Sequence, residues 1–207
     1  MTTAVKICGI TRIDDALAAA RFGAYALGFV FHAKSPRNVP PAHAAEIVRA
    51  LPPFITAVGL FVNPDARDVE RVLDQVPLDQ LQFHGEETPA FCGQFRVSYI
   101  KAVRVRAGLD LLQYAQLYST ARGLLLDAFI AGAHGGTGTA FDWNLIPRAL
   151  PLPVILSGGL NPENVADALR RIRPWAVDVS SGVEASPGVK DPLKIAAFIK
   201  EVRSADV

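Results

Sequence analysis

Residues 156–165, LSGGLNPENV, hold a structural unit in miniature. The apolar run PVILS, residues 153–157, stops at two glycines, and Asn161-Pro162-Glu163 then opens an amphipathic stretch. A strand closed by a glycine turn and followed by a helix-start signal reads as a β-then-α unit. Working outward, similar apolar runs stand at residues 5–10, 26–31, 55–62, 80–83, 99–105, 123–129 and 176–180. Helical stretches follow them: from Ile13-Asp14-Asp15 to Gly23, from Pro40-Pro41 to about residue 51, and after Asn63-Pro64-Asp65. The later ones are expected at 86–95, where Thr88-Pro89 supplies a cap and first turn, and at 109–118, 142–149, 163–170 and 192–203. The runs are too apolar to alternate cleanly, as befits parallel strands covered on both faces. Eight such units in 207 residues predict an α/β chain folded as a single-domain (β/α)8 barrel of the TIM type, at the small end of its size range. A doubly wound open sheet would share the alternation. The count of eight and the residues at the strand ends favour the barrel. No linker, low-complexity run or charge block divides the chain, so residues 1–207 are expected to form one domain.

Composition narrows the function classes. Half of the residues are hydrophobic, a fifth are charged and the net charge is +1, with no basic run. Neither a nucleic-acid partner nor an anionic membrane is expected. No segment approaches the roughly 20 apolar residues of a membrane span, and the first residues lack a signal-peptide pattern, so a cytoplasmic location is expected. Two cysteines, Cys8 and Cys92, are too few and too far apart for a disulfide framework or a zinc site.

In a barrel the loops after the strands form one rim, where active sites sit. The unusual residues fall at those ends. The seventh and eighth loops place Gly158-Gly159 and Ser181-Gly182 directly after a strand. Glycine lets backbone N–H groups approach an anion, and barrels commonly seat a substrate phosphate there. A single such loop reads more readily as a tight turn; the pair at this location favours phosphate. The sixth loop, residues 131–143, is long and glycine-rich, which suggests a third wall or a closing lid. No Gly-Lys-Ser/Thr follows its glycines, which excludes a P-loop.

Asp127 ends Leu124-Leu125-Leu126-Asp127, where a carboxylate is costly to desolvate unless paired or used. It is a general-acid candidate, with a loop-capping aspartate as the alternative. Cys8 ends the first run, and Lys6, two residues earlier, shares its face, so a nearby ammonium would favour the thiolate. Taken alone, Cys8 reads as core, as does Cys92. Asp178 and Lys101 are expected inside the barrel as a polar network under the rim. Arg37 could fork a substrate carboxylate or simply be solvated. His84, after the fourth run, could be a ligand, an acid/base or a positioned hydrogen-bonder. No cluster of His, Asp and Glu suggests a metal.

VKICGIT, GFVFHAKSPR, VGLFVNP, LQFHG, LLLDAF, GGTGTAFDW, LSGGLNPENV and DVSSGVEASPGVKD, taken together, resemble the phosphoribosylanthranilate isomerase family of tryptophan biosynthesis. The likeness runs from the first strand to the final helix; the one departure is Phe83 before His84, where the family usually has leucine. The resemblance implies an Amadori rearrangement of N-(5-phosphoribosyl)anthranilate to the 1-deoxyribulose phosphate derivative, needing no metal or organic cofactor. It implies Cys8 as general base and Asp127 as general acid. Arg37 would hold the anthranilate carboxylate, and Gly158, Gly159, Ser181 and Gly182 the phosphate, with His84 also against substrate. The partner is then a small phosphosugar, and the protein a monomer or homodimer. A metal-dependent pentose-phosphate epimerase would need ligands this rim lacks. The indole-forming synthase would be expected to place a lysine and a glutamate on the rim, where Cys8 and Asp127 stand. A phosphosugar-binding module without chemistry would have no use for either residue.

Overall fold

The computed structural model describes residues 2–106, 108–127, 145–147 and 149–205. Eight parallel strands pair in chain order: β1 (Ala4–Cys8), β2 (Ala26–Val30), β3 (Thr56–Phe61), β4 (Gln80–Phe83), β5 (Tyr99–Arg104), β6 (Leu124–Asp127), β7 (Val154–Ser157) and β8 (Ala176–Val179). The eighth closes on the first, from Ala4 beside Ala176 to Ile7 beside Val179. That pairing excludes the open sheet and makes the expected barrel the fold. Parallel neighbours need a crossover, so every strand's C-terminal end lies on the same rim.

Strand residues alternate between the two faces of the barrel. The apolar core lies on the outer face, between strands and helices, and includes Ile7, Leu27, Phe29, Leu81, Leu124 and Phe198. Phe83 illustrates the packing, with its ring against Phe91, Phe95 and Tyr99. Fully burying such a side chain contributes about 1.5–3 kcal/mol. With the core supplied outside, the inner face is left free for polar groups: Lys6, Gln82, Ser157 and Asp178.

Lys101 is the exception to the expected interior network. The parity of β5 sends Arg104 inward, which turns Lys101 outward into the helix layer. There its Nζ donates to Glu87 Oε2 at 3.0 Å and to the carbonyls of Phe83 and Gly85 at 3.3 and 2.6 Å, beneath the Tyr118 ring. Cys92 is fully buried in the same layer.

The helices α1 (Ile13–Phe22), α2 (Pro41–Arg49), α3 (Ala66–Gln75), α4 (Pro89–Gly93), α5 (Leu111–Leu117), α6 (Val165–Ile172) and α7 (Pro192–Ala205) cover the strands. In α7, Ile195, Phe198, Ile199 and Val202 recur at helical spacing and are the buried stripe. The α4 helix is shorter than expected because Glu87 is committed elsewhere. Its carboxylate accepts from the backbone N–H groups of Asn63 and Gly85, and Thr88 then caps the helix by accepting from Phe91 N. The eighth loop, expected as plain loop, carries a 3-10 turn over Ser181–Val183 and a short antiparallel pair, β9 (Glu184–Ser186) with β10 (Val189–Lys190). The sixth loop and most of the expected helix at 142–149 lie outside the described residues. Among the described residues, no helix is long and apolar enough to cross a membrane.

Candidate active site

On the rim is a cavity of about 400 Å³ lined by Cys8, Arg37, His84, Asp127, Gly158, Gly159 and Ser181, seven of the eight residues expected there. The register explains the gathering, since strand tips from β1, β4, β6, β7 and β8 converge on one opening. A larger hollow of about 820 Å³ at the opposite end, against Thr2, Leu152 and Trp175, holds none of these residues.

Cys8 points inward because Lys6 does, two residues before it. Gly28 of β2 sits in register with Cys8. A Cβ there would lie 2.9 Å from Cys8 Sγ and 3.0 Å from Lys6 Nζ, so the thiol and the ammonium fit only because that side chain is absent. Lys6 Nζ donates to Asp178 Oδ1 at 2.7 Å, and Ser157 Oγ donates to Asp178 Oδ2 at 3.1 Å. Burial works against the Lys6 ammonium, but Asp178 and Cys8 outweigh it and raise its pKa above the ordinary value. Burial pushes the Cys8 thiol up, and Asp178 adds to this; Lys6 and Lys190 pull it down without prevailing. The expected support of the thiolate by Lys6 thus has the right sign, but desolvation wins and Cys8 rests as the thiol.

Asp127 stands at the tip of β6 with His84 Nε2 3.3 Å from its Oδ2. The other ring nitrogen, Nδ1, is 3.0 Å from Gln82 Nε2. Both nitrogens of His84 are therefore engaged within the protein, which places it as a hydrogen-bonder to Asp127.

Arg37 lines the cavity, but its fork is in use. Nε and Nη2 donate to the two Glu184 oxygens, each at 2.7 Å. One edge of the guanidinium is thus held by Glu184, and the Nη1 side is the open one. Glu184 also accepts from Lys190 Nζ at 2.8 Å. Burial would raise the Glu184 carboxyl, yet its bonds from Arg37 and Lys190 hold it below its ordinary value.

After β7, Gly158 and Gly159 have φ of 93° and 67°, a left-handed conformation that side chains resist. Ser180 and Ser181 face them across the cavity mouth. Gly182 is behind the wall; a side chain on it would strike the Leu160 carbonyl, so its bareness lets the two loops meet. Among the described residues, no group of three or more His, Cys, Asp and Glu could hold a metal ion.

Sequence reasoning missed several residues. Gly28 interrupts an apolar strand, a recognised sign of close approach. Gln82 is legible too, because polar residues at 80, 82 and 84 alternate as an inward face would. Arg104 and His32 line the cavity. Glu184 and Lys190 carried no signal, since their partnership depends on how the eighth loop folds back.

Known proteins resemble this chain along nearly its whole length. A family model described as N-(5'phosphoribosyl)anthranilate (PRA) isomerase matches residues 5–201. The N-(5'-phosphoribosyl)anthranilate isomerase of Nitrosospira multiformis is 60% identical over 98% of this chain and 97% of its own. The crystal structure of phosphoribosyl anthranilate isomerase from Thermotoga maritima superposes with a TM-score of 0.87 at 44% identity, covering 98% of this chain and all of that one. A phosphoribosyl anthranilate isomerase in complex with reduced 1-(o-carboxyphenylamino)-1-deoxyribulose 5-phosphate superposes with a TM-score of 0.82 at 40% identity, over 98% of this chain and all of that one. The chain belongs to the N-(5'-phosphoribosyl)anthranilate isomerase family of tryptophan biosynthesis.

Proposed function

We propose that Cys8 and Asp127 divide between them the proton transfers by which this enzyme isomerises N-(5-phosphoribosyl)anthranilate. The observation that carries the reading is that both line one cavity whose far wall is Gly158, Gly159 and Ser181. The phosphate lies against that glycine wall, where backbone N–H groups donate to its oxygens. The anthranilate carboxylate meets the open side of Arg37. Fixing both ends holds the ribose between the two catalytic groups, and this remote binding energy positions the reacting carbons.

Asp127 gives its proton to the furanose ring oxygen. The C1–O bond breaks and the nitrogen lone pair forms the C1=N double bond of an iminium. Cys8 thiolate then takes the proton from C2, and the C–H electrons become the C1=C2 bond as the iminium nitrogen regains its lone pair. The resulting enolamine tautomerises to the ketone. The substrate's own nitrogen is the electron sink. A buried thiolate, once formed, is a stronger base than an exposed one, because the factors that raise its pKa raise its proton affinity equally. Lys6 and Lys190 limit how rare that thiolate is.

General acid–base groups each contribute about 10²–10⁴-fold. Cys8→Ser and Asp127→Asn should each lose that much kcat for conversion of N-(5-phosphoribosyl)anthranilate while retaining the wild-type melting behaviour. Near-normal turnover in either variant would remove that residue from its role.

A further inference from the structure

Gln82 is fully buried on the cavity wall, yet half of its amide is unpaired. Its Nε2 lies 3.0 Å from His84 Nδ1, while its Oε1 has no hydrogen-bond partner among the described residues. His84 Nε2 in turn lies 3.3 Å from Asp127 Oδ2. An amide N–H that donates to Nδ1 leaves the single proton of a neutral imidazole on Nε2. The hydrogen bonds then run in one direction, from Gln82 to His84 to Asp127. With the amide reversed, a carbonyl oxygen would face Nδ1, the ring proton would move there, and a bare lone pair would face Asp127. A buried acceptor left unpaired costs about 1–3 kcal/mol, more than the roughly 0.5–1.5 kcal/mol that the bond from Nε2 to His84 contributes. The Gln82 amide is therefore not explained by stability.

We propose that Gln82 is a positioning residue for the acid step, holding His84 with its proton on Nε2 so that an N–H always faces Asp127 Oδ2. The inference rests on Asp127 being the general acid. On transfer, the Asp127 O–H bond breaks, a bond to the ring oxygen forms, and the electron pair stays on the carboxylate. The His84 N–H bond then changes from a neutral to a charge-assisted one, roughly doubling in strength. An interaction that strengthens as charge develops lowers the barrier without tightening the ground state.

The test uses the full-length enzyme labelled with ¹⁵N-histidine, at about pH 8.5 where an ordinary imidazole is neutral. Imidazole ¹⁵N shifts report the tautomer, and the His84 signals are identified by their loss in His84→Asn. In the wild type His84 should carry its proton on Nε2. Gln82→Met keeps the side-chain length and should give a mixture of tautomers, with kcat about tenfold lower, KM within about twofold and no loss of melting temperature. Gln82→Glu offers only an acceptor and should move the proton to Nδ1 and lower kcat further. An unchanged tautomer or an unchanged kcat in Gln82→Met overturns the proposal. Full turnover by Asp127→Asn would instead overturn the acid assignment beneath it. An inactive Asp127→Asn beside a wild-type-like Gln82→Met would leave that assignment standing and sink only the role of Gln82.

Discussion

Gly28→Ala adds one methyl group against both Cys8 and Lys6. The new Cβ would lie 2.9 Å from Cys8 Sγ, 3.0 Å from Lys6 Nζ and 3.1 Å from Cys8 Cα. Ordinary carbon contacts are at about 3.5–4.0 Å, so the thiol must retreat by roughly 0.6–1 Å. The obstacles are not free to yield. Lys6 is clamped to Asp178 at 2.7 Å, and Cys8 Cα belongs to a strand bonded on both sides. Overpacking of this kind costs about 1–3 kcal/mol. At about 2–4 °C per kcal/mol for a chain of this size, the melting temperature should fall by roughly 2–12 °C. A displacement near 1 Å in a reacting group costs about 10²-fold, so with Cys8 as the proposed base kcat should fall by about that factor, while KM, which the proposed phosphate and carboxylate contacts would set, changes little. The assays are a thermal melt and steady-state conversion of N-(5-phosphoribosyl)anthranilate. Wild-type kcat at an unchanged melting temperature would refute the reasoning, since the methyl group would then have found room without moving the thiol.

Two further expectations concern charge. Alkylation of Cys8 by iodoacetamide should keep rising with pH past 9.0, the ordinary thiol value, because burial raises its pKa, and Lys6→Met should move the profile higher still by removing the ammonium that opposes burial. Cys92, fully buried and pushed up to about 12, should stay silent, and a Cys8 midpoint below about 8.5 would contradict the burial account. Glu184→Gln should raise KM, since Arg37 loses the carboxylate that orients it. Because the folded Glu184 carboxyl titrates below its unfolded value, its stabilisation is complete above about pH 4.5 and lost as pH falls through the folded value. The melting-temperature gap between wild type and Glu184→Gln should therefore stay level from pH 7 to about 4.5 and narrow as the pH falls further, and a gap that stays constant below that point would count against the ion pair.

Much of the fold and part of the site are local properties of the chain. Apolar runs ending in Gly9 or Gly158, each followed by a helix start, are legible because strand length, turn chemistry and helix periodicity are set by neighbours in sequence. Eight such units imply closure and a shared rim, which brought Cys8, Asp127 and the Gly158-Gly159 loop together before any coordinates. Face parity is local as well, and it paired Lys6 with Cys8 correctly. It failed for Lys101 because which parity points inward on β5 depends on strand register, a tertiary quantity.

What only the tertiary structure decided is how groups distant in sequence share charge. Arg37 and Glu184 are 147 residues apart, and their bidentate pair holds one edge of a guanidinium that the sequence left without a partner. Lys6 and Asp178 are 172 apart and meet only because β8 closes on β1. Even the protonation of Cys8 followed this rule. Sequence placed an ammonium beside the thiol, but desolvation depends on everything packed around both, including Gly28 and Asp178. Coulomb attraction between near neighbours can be read along a chain, whereas burial is a sum over the whole fold, and at Cys8 the sum outweighs the neighbour.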